Sequence, residues 1–415
     1  MTSLCPWARR VPAALLLGAL AFPGPAVALT LEQTLALAER EAPALAAQAA
    51  NLEAARSAAI PAGELPDPRL SLGLRNVPIE GESRLRLGDE AMTMQTIGLM
   101  QEVPNRAKRQ ARVDVAEADV ALAGVQQRIA RLAVRRQAAE AWIATLSVER
   151  KLALFKELYR ENRLFARAVE ARIAGGGGSA ADSVLPRQEA ALLAEQEDNL
   201  LRSQTVARAA LRRWVGEAAR QPLSGDWPRW QDDASHYQYH LQHHPELMAF
   251  DPLTRQAEAK VREASADKRP DWNWGVEYGR RESLGDMVSL NFSFDLPLFA
   301  GSRQDPRIAA ERARLGRIEA ERESVLRMHT EELDGRLAEL EQLERTLTRL
   351  DDTLLPLAEE KVRLAMADYQ GGRGELMSLV KARQALLETR LRRIDVARDR
   401  ALANARLHFA FGDTP

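Results

Sequence analysis

Four of the six histidines in this 415-residue chain lie close together, in the stretch HYQYHLQHHPEL. His236, His240, His243 and His244 could act as ligands for zinc, copper or nickel, because neutral imidazole binds these cations. His236 and His240 are four residues apart and would share one face of a helix. A solvated surface segment is the simpler interpretation of such a polar stretch, and we favour it. The four histidines therefore stand as candidate metal ligands only.

Methionine and glycine patterns give no stronger chemical signal. Met92, Met94 and Met100 share one strand parity and could relay copper(I) through their thioethers, but ordinary packing is the favoured interpretation. The stretch Gly175–Ser179 lacks the lysine of a phosphate-binding loop. No Ser–His–Asp, metalloprotease or paired-carboxylate pattern stands out. We interpret the chain as a non-enzyme and expect no cofactor.

The amino terminus has the form of a secretory signal peptide over residues 1–28. Arg9 and Arg10 precede the apolar run VPAALLLGALAF, and small residues end it before a predicted cut after Ala28. A single membrane anchor is the alternative, but about 12 apolar residues are too few to span a bilayer. Cys5, the only cysteine, precedes the apolar run, so we expect no lipid anchor on the mature chain.

Composition narrows the class of protein further. The chain is 46% hydrophobic and 28% charged, with a formal net charge of −1, which gives no reason to expect a nucleic acid as partner. No later segment has about 18 uninterrupted apolar residues, so no transmembrane helix is predicted. An exported chain of this kind is either soluble or crosses a membrane by strands.

One predicted strand has a wholly apolar face. In the stretch MVSLNFSFDLPLF, apolar residues alternate with serine, asparagine and aspartate. The apolar face consists of Val288, Leu290, Phe292 and Phe294. Similar alternation predicts three more strands, near Leu70–Leu74, Thr93–Gln101 and Trp272–Gly279.

Long helices are predicted between these strands and the glycine-rich stretches. Apolar residues recur every three or four positions over Ala107–Ile173, which predicts a helix of roughly 100 Å. A second long helix is predicted from an N-cap at Asp305 to about Tyr369, with a kink at Pro356. Thr30 is predicted to begin the first helix as part of a capping box with Gln33.

The chain repeats itself after about 200 residues. The stretch IAGGGGSAADSVLPRQ resembles YQGGRGELMSLVKARQ, and the segments before and after them match in the same order. We interpret residues 29–216 and 245–415 as two tandem repeats, each with a helix, two strands, a very long helix and a further helix. Residues 217–244 form the segment between them.

Four strands per chain cannot close a barrel, and an open sheet edge cannot face lipid. A soluble sheet covered by helices is one solution. The small polar residues on the second face favour another, in which three chains supply twelve strands that face lipid outside and water inside.

Several motifs, in duplicated order, resemble the TolC-type outer-membrane channel family over essentially the whole mature chain. They are LTLEQTLALAERE, LPDPRLSLGLRNVP, QEVPNRAKRQAR, FDLPLFAGSR and LLPLAEEKVRLAMADYQGGRGELMSLVKARQ. The chain length and the QEVP…KR segment look most like the heavy-metal branch, such as CzcC and CusC.

The resemblance implies a mainly α fold with a membrane β part. Three chains would form a twelve-stranded β-barrel in the outer membrane of a Gram-negative bacterium, joined to a long α-helical barrel in the periplasm. It also implies a periplasmic adaptor and an inner-membrane transporter of the resistance–nodulation–division type as partners. The channel would be passive, with heavy-metal cations as the expected cargo and drugs or other small molecules as the alternative.

The resemblance also assigns roles to the helix turns. They would form the periplasmic tip, where the adaptor docks and the aperture opens, and they comprise Gly175, Gly176, Gly177, Gly178, Gly371, Gly372, Arg373 and Gly374. The family places acidic residues just after the second turn, whereas this chain has Ser378 and Lys381 there. Asp182 occupies the position equivalent to Ser378 in the first repeat. The rival interpretation is a periplasmic coiled-coil scaffold or adaptor with no pore.

Overall fold

The computed structural model describes residues 28–230, 233–282 and 284–412. The predicted signal peptide, apart from its last residue, lies outside the described residues. The described chain consists mostly of helices, with one four-stranded sheet. None of the helices in this part of the chain is long and apolar enough to cross a membrane.

Both halves of the chain follow the same order: helices, two strands, a long helix, a turn and a further helix. The first half contains α1 Leu31–Glu41, α2 Pro43–Ala59, β1 Arg69–Arg75, β2 Met94–Val103, α3 Arg106–Ala174 and α4 Leu185–Val215. The second half contains α5 Ala234–His240, α6 Pro245–Met248, α7 Phe250–Ala266, β3 Trp272–Arg280, β4 Met287–Phe294, α8 Gln304–Arg349, α9 Leu355–Gln370 and α10 Leu376–Leu407.

Side chains at the helix starts explain two of the boundaries. The predicted capping box is confirmed, since the Gln33 amide donates to Thr30 Oγ1 at 3.2 Å and the Thr30 amide donates to Gln33 Oε1 at 3.0 Å. Asn105 caps α3, because its side-chain oxygen accepts from the Lys108 amide at 3.0 Å.

The predicted N-cap at Asp305 is wrong. Helix α8 begins at Gln304, so Asp305 is its second residue. The Asp305 amide donates to the Ala300 carbonyl at 2.9 Å, which shows that the preceding turns already lead into the helix. Pro306 is tolerated in the first helical turn, where an amide hydrogen would have no partner in the helix.

The irregularity expected at Pro356 lies in the turn before it. Helix α8 passes into α9 through one π-helical turn at Leu350–Leu354. Proline lacks an amide hydrogen, and its ring crowds the carbonyl four residues earlier, which here belongs to Asp352. A widened turn accommodates both effects without ending the helix.

The sheet has the order β1-β2-β3-β4, and every neighbouring pair is antiparallel. The central pairing, β2 with β3, joins the two halves of the chain. Farther along the helices, the largest core cluster surrounds Trp142 of α3, which is 1% exposed. Its Nε1 donates to the Leu29 carbonyl at 3.2 Å, while α4 and α10 contribute Leu211 and Ala405 to the same cluster.

Candidate functional site

One face of the sheet is apolar across all four strands and exposed. In the β3–β4 register, Phe292 lies opposite Trp274 and Leu290 lies opposite Val276. Phe292 is 65% exposed and Leu290 is 67% exposed, so the chain's own helices leave this face uncovered. The exposed members are Leu70, Leu72, Leu74, Ile97, Leu99, Trp272, Tyr278, Val288, Leu290, Phe292 and Phe294. A contiguous apolar surface of this extent marks a membrane or protein interface.

The opposite face of the sheet carries small polar side chains together with larger charged ones. Ser293 Oγ donates to Asn273 Oδ1 at 2.7 Å on this face. Arg75 Nη2 forms an ion pair with Glu277 Oε2 at 2.5 Å. Polar and charged side chains are costly to remove from water. This face therefore suits water, whereas the apolar face suits an apolar environment.

Helix α3 ends in a tight glycine turn that leads back into α4. The amides of Gly175 and Gly177 donate to the Ala171 and Arg172 carbonyls, both at 3.0 Å, which satisfies the helix end. Gly176, between them, has a φ of +74°, a conformation that residues with a Cβ rarely adopt.

The second turn, between α9 and α10, has the same backbone shape. Gly372 has a φ of +77°, as its alignment with Gly176 predicts. The amides of Arg373 and Gly374 both donate to the Asp368 carbonyl, at 2.9 and 3.0 Å. A Cβ on Gly374 would lie 2.9 Å from the Asp368 Cβ, so this position also requires glycine.

Arg172 joins the two turns. Its Nε donates to the Gly177 carbonyl at 2.9 Å, and its guanidinium carbon lies 4.4 Å from the centre of the Tyr369 ring. Tyr369 is 2% exposed and packs with Phe165 and Leu379, and this burial raises the pKa of its hydroxyl. The two turns therefore form one packed end of the molecule. The 69 residues of α3 place it about 100 Å from the sheet.

The three aperture candidates do not form a cluster. Asp182 is half-buried, and its carboxylate accepts from the Ser179 amide at 2.9 Å as part of a capping box. Ser378 and Lys381 lie exposed in the first two turns of α10. Within the described chain, Asp182 forms no hydrogen bond or ion pair with either of them.

The four neighbouring histidines separate into two groups. The rings of His236 and His240 in α5 lie 4.4 Å apart, and the ring of His243 lies 6.1 Å from that of His240. His244 instead packs against His329 of α8, with ring centres 3.9 Å apart. His329 lies 85 positions further along the chain and was not among the sequence candidates.

Two carboxylates flank His329. Its Nε2 lies 3.0 Å from Glu246 Oε2, and its Nδ1 lies 3.3 Å from Glu332 Oε2. The hydrogen bond to Glu246 raises the pKa of His329, despite its burial. Burial, together with the nearby charge of His329, lowers the pKa of His244 to about 4. His244 is therefore neutral near pH 7, while the charged form of His329 is stabilised.

The three methionines are not gathered at one point. Met94 and Met100 lie near opposite ends of the polar face of β2, about 20 Å apart along the strand. Met92 precedes the strand.

Sequence analysis also missed Arg383, whose side chain is 9% exposed and pairs with Glu189 of α4 at 2.7 Å.

Known proteins resemble this chain in part of its sequence and in its fold. Residues 236–413 match the outer membrane efflux protein family. The match lies within the second half of the chain and covers less than half of its length. No relative is found among curated protein sequences.

Solved structures resemble the chain over nearly its whole length. A membrane protein from Pseudomonas aeruginosa has a TM-score of 0.79 at 19% identity, over 92% of both chains. The outer membrane protein VceC from Vibrio cholerae has a TM-score of 0.75 at 19% identity, over 92% of this chain and 96% of that one. CusC has a TM-score of 0.78 at 15% identity, over 94% of this chain and 93% of that one. The chain therefore has the fold of these three membrane proteins.

Proposed function

We propose that this chain is the outer-membrane channel subunit of a tripartite efflux system. Three copies would close a twelve-stranded β-barrel whose helices continue as a long α-helical barrel into the periplasm. The observation that carries the proposal is the exposed apolar face of the sheet, together with the two sheet edges at β1 and β4.

The two edges explain why further copies are needed. Within the described chain, β1 and β4 each pair with one neighbour only, so one side of each strand retains unpaired backbone groups. Such groups cannot face hydrocarbon, because each would cost several kcal/mol without a hydrogen-bond partner. Pairing β4 of one copy with β1 of the next satisfies these groups and turns every apolar face outward.

The polar face and the glycine turns fit the remaining parts of a duct. Polar and charged side chains would line a water-filled lumen through which cargo passes passively. The joined turns, Gly175–Gly178 and Gly371–Gly374, are proposed as the periplasmic tip that meets the adaptor. Asp182, Ser378 and Lys381 are proposed to line the aperture there.

Heavy-metal cations are the proposed cargo. The support is the likeness of the QEVP…KR segment and of the chain length to the heavy-metal branch. The similarities to CusC and VceC lie at 15% and 19% identity, so they show the fold and do not favour one cargo over another. Drugs are the alternative cargo.

Gene deletion with complementation tests this function. The deletion strain should tolerate less of at least one heavy-metal cation, and the wild-type gene should restore growth. The protein should fractionate with the outer membrane and need detergent for extraction. Sensitivity to drugs alone would reject the proposed cargo but keep the channel. Unchanged tolerance, with the protein recovered in the periplasm without detergent, would reject the channel.

A further inference from the structure

Three ligating side chains meet where the segment around α6 packs against α8. His244 and Glu246 belong to that segment, and His329 belongs to α8. One nitrogen of each imidazole and one oxygen of the carboxylate all lie within 4.8 Å of one another. The four neighbouring histidines in the sequence did not indicate this arrangement, because His329 comes from a distant part of the sequence.

We propose that His244, Glu246 and His329 bind a divalent transition-metal cation such as Zn²⁺. Two imidazoles and one carboxylate form a donor set that zinc sites use with one position left for water. The same donors suit Cu²⁺ and Ni²⁺, whereas Mg²⁺ and Ca²⁺ prefer oxygen ligands. The site lies within a single copy of the chain, so it does not depend on the proposed channel function.

The surroundings of His329 match those of a metal-bound histidine. Its Nε2 faces the Glu246 carboxylate at 3.0 Å, where the cation would lie. Its Nδ1 faces Glu332 at 3.3 Å, and Arg336 Nε in turn donates to the other Glu332 oxygen at 2.9 Å. Metal-binding histidines commonly donate their second ring nitrogen to a carboxylate, which fixes the ring orientation and strengthens the ligand.

His244 presents a nitrogen that can accept a cation. Its Nδ1 accepts a hydrogen bond from the Glu246 amide, and in a neutral ring the accepting nitrogen carries no proton. That hydrogen bond is long, at 3.3 Å, so a metal ion would replace a weak contact.

The site is buried on one side and accessible on the other. His244 is 8% exposed and His329 is 4% exposed, whereas the Glu246 side chain is 51% exposed. A cavity of about 90 Å³, lined by His244, Glu246 and Arg136, opens beside it. The three ligand atoms lie within 4.8 Å of one another, whereas ligand atoms around tetrahedral zinc are about 3.4 Å apart. Rotation of the accessible Glu246 side chain would bring its carboxylate oxygen to the separation that zinc requires.

Charges around the site act in both directions. Arg136 lines the cavity and opposes a cation, while Glu246 and Glu332 attract one. The competing arrangement is a protonated His329 that bridges the two carboxylates without any metal. Direct measurement of metal binding distinguishes the two, because the bridged arrangement predicts no bound ion.

Zinc binding to the full mature protein in detergent tests the proposal. After treatment with a chelator, the protein is dialysed against ZnCl₂ at neutral pH, and bound metal is measured by elemental analysis. We expect one zinc ion per chain that is lost in His329→Gln and in Glu246→Gln. Glu332→Gln should weaken binding about 10–100-fold, because it removes only the supporting carboxylate. His240→Gln, in the neighbouring group, is the matched control and should bind as wild type.

Two further readouts separate a lost site from a lost fold. Every variant should retain the circular dichroism spectrum of the wild type, and Co²⁺ in place of zinc should give visible absorption bands of a nitrogen- and oxygen-bound ion that vanish in Glu246→Gln. Absence of bound zinc in the wild type would overturn the proposal. Zinc binding that survives His329→Gln, or that is lost in His240→Gln, would overturn it as well.

Discussion

Glycine has two separate roles in the turn between α9 and α10. Gly372 adopts a positive φ, but a Cβ there would meet nothing within 4 Å. Gly374 has no such backbone constraint, yet a Cβ there would lie 2.9 Å from the Asp368 Cβ and 3.1 Å from the Tyr369 amide nitrogen. The first position excludes most side chains by conformation, and the second excludes them by contact with backbone.

The two roles predict different effects of substitution. Gly374→Ala should destabilise the turn by about 1–3 kcal/mol, because rigid backbone must move to admit the methyl group. Gly372→Asn should cost less than about 1 kcal/mol, since asparagine tolerates positive φ and the space is open. Amide hydrogen exchange over residues 366–378 measures local opening directly. Equal exchange in the two variants would show that the contact at Gly374 is not limiting.

The histidine group shows where sequence reasoning stops at this scale. The capping box of Thr30 and Gln33 was predictable because its members are three residues apart. The pairing of His244 with His329 depends on how α8 packs against a segment some 80 residues earlier. No local sequence pattern contains that information. The four histidines that are neighbours in the sequence lie in two separate groups in the structure.

At the scale of elements, period-two alternation predicted the strands and their apolar faces. It could not predict which strands pair, because β2 and β3 come from different halves of the chain. The long helices were predictable from their uninterrupted apolar periodicity and their glycine ends. The start of α8 was not, because backbone hydrogen bonds from Arg303 to Phe299 and from Asp305 to Ala300 lead into the helix, and no side chain caps it.

The two faces of β4 predict opposite responses to an added charge. Phe292→Arg should impair membrane assembly, because an arginine on the lipid face near the bilayer midplane costs about 2–4 kcal/mol. Asn291→Arg is the matched control: it is exposed on the polar face and lies opposite Gly275, which leaves room for the longer side chain. Ser293 is less suitable, because its hydroxyl donates to Asn273.

Yield of detergent-extracted protein from the outer-membrane fraction measures the difference. We expect a marked loss for Phe292→Arg and near wild-type recovery for Asn291→Arg. Similar losses in both variants would mean that the assignment of the lipid-facing and water-facing sides is wrong.

At the scale of the whole molecule, the exposed apolar face of the sheet and the packed glycine turns lie at opposite ends of the structure. The exposed apolar face of the sheet lies about 100 Å from the packed glycine turns, and α3 runs between them. A single copy leaves that face and both sheet edges uncovered. The sequence predicted this incompleteness, since four amphipathic strands cannot close on themselves. The number of copies, three, stays a prediction, because one chain contains no information about the curvature of a closed sheet.

Native mass spectrometry of the mature protein, released from detergent micelles, is the most direct test of the central claim that the sheet is one third of a membrane barrel. We predict a single dominant species with three times the mass of the chain, obtained only when detergent is used for extraction. A homogeneous monomer that remains soluble without detergent would contradict the barrel and, with it, the proposed channel.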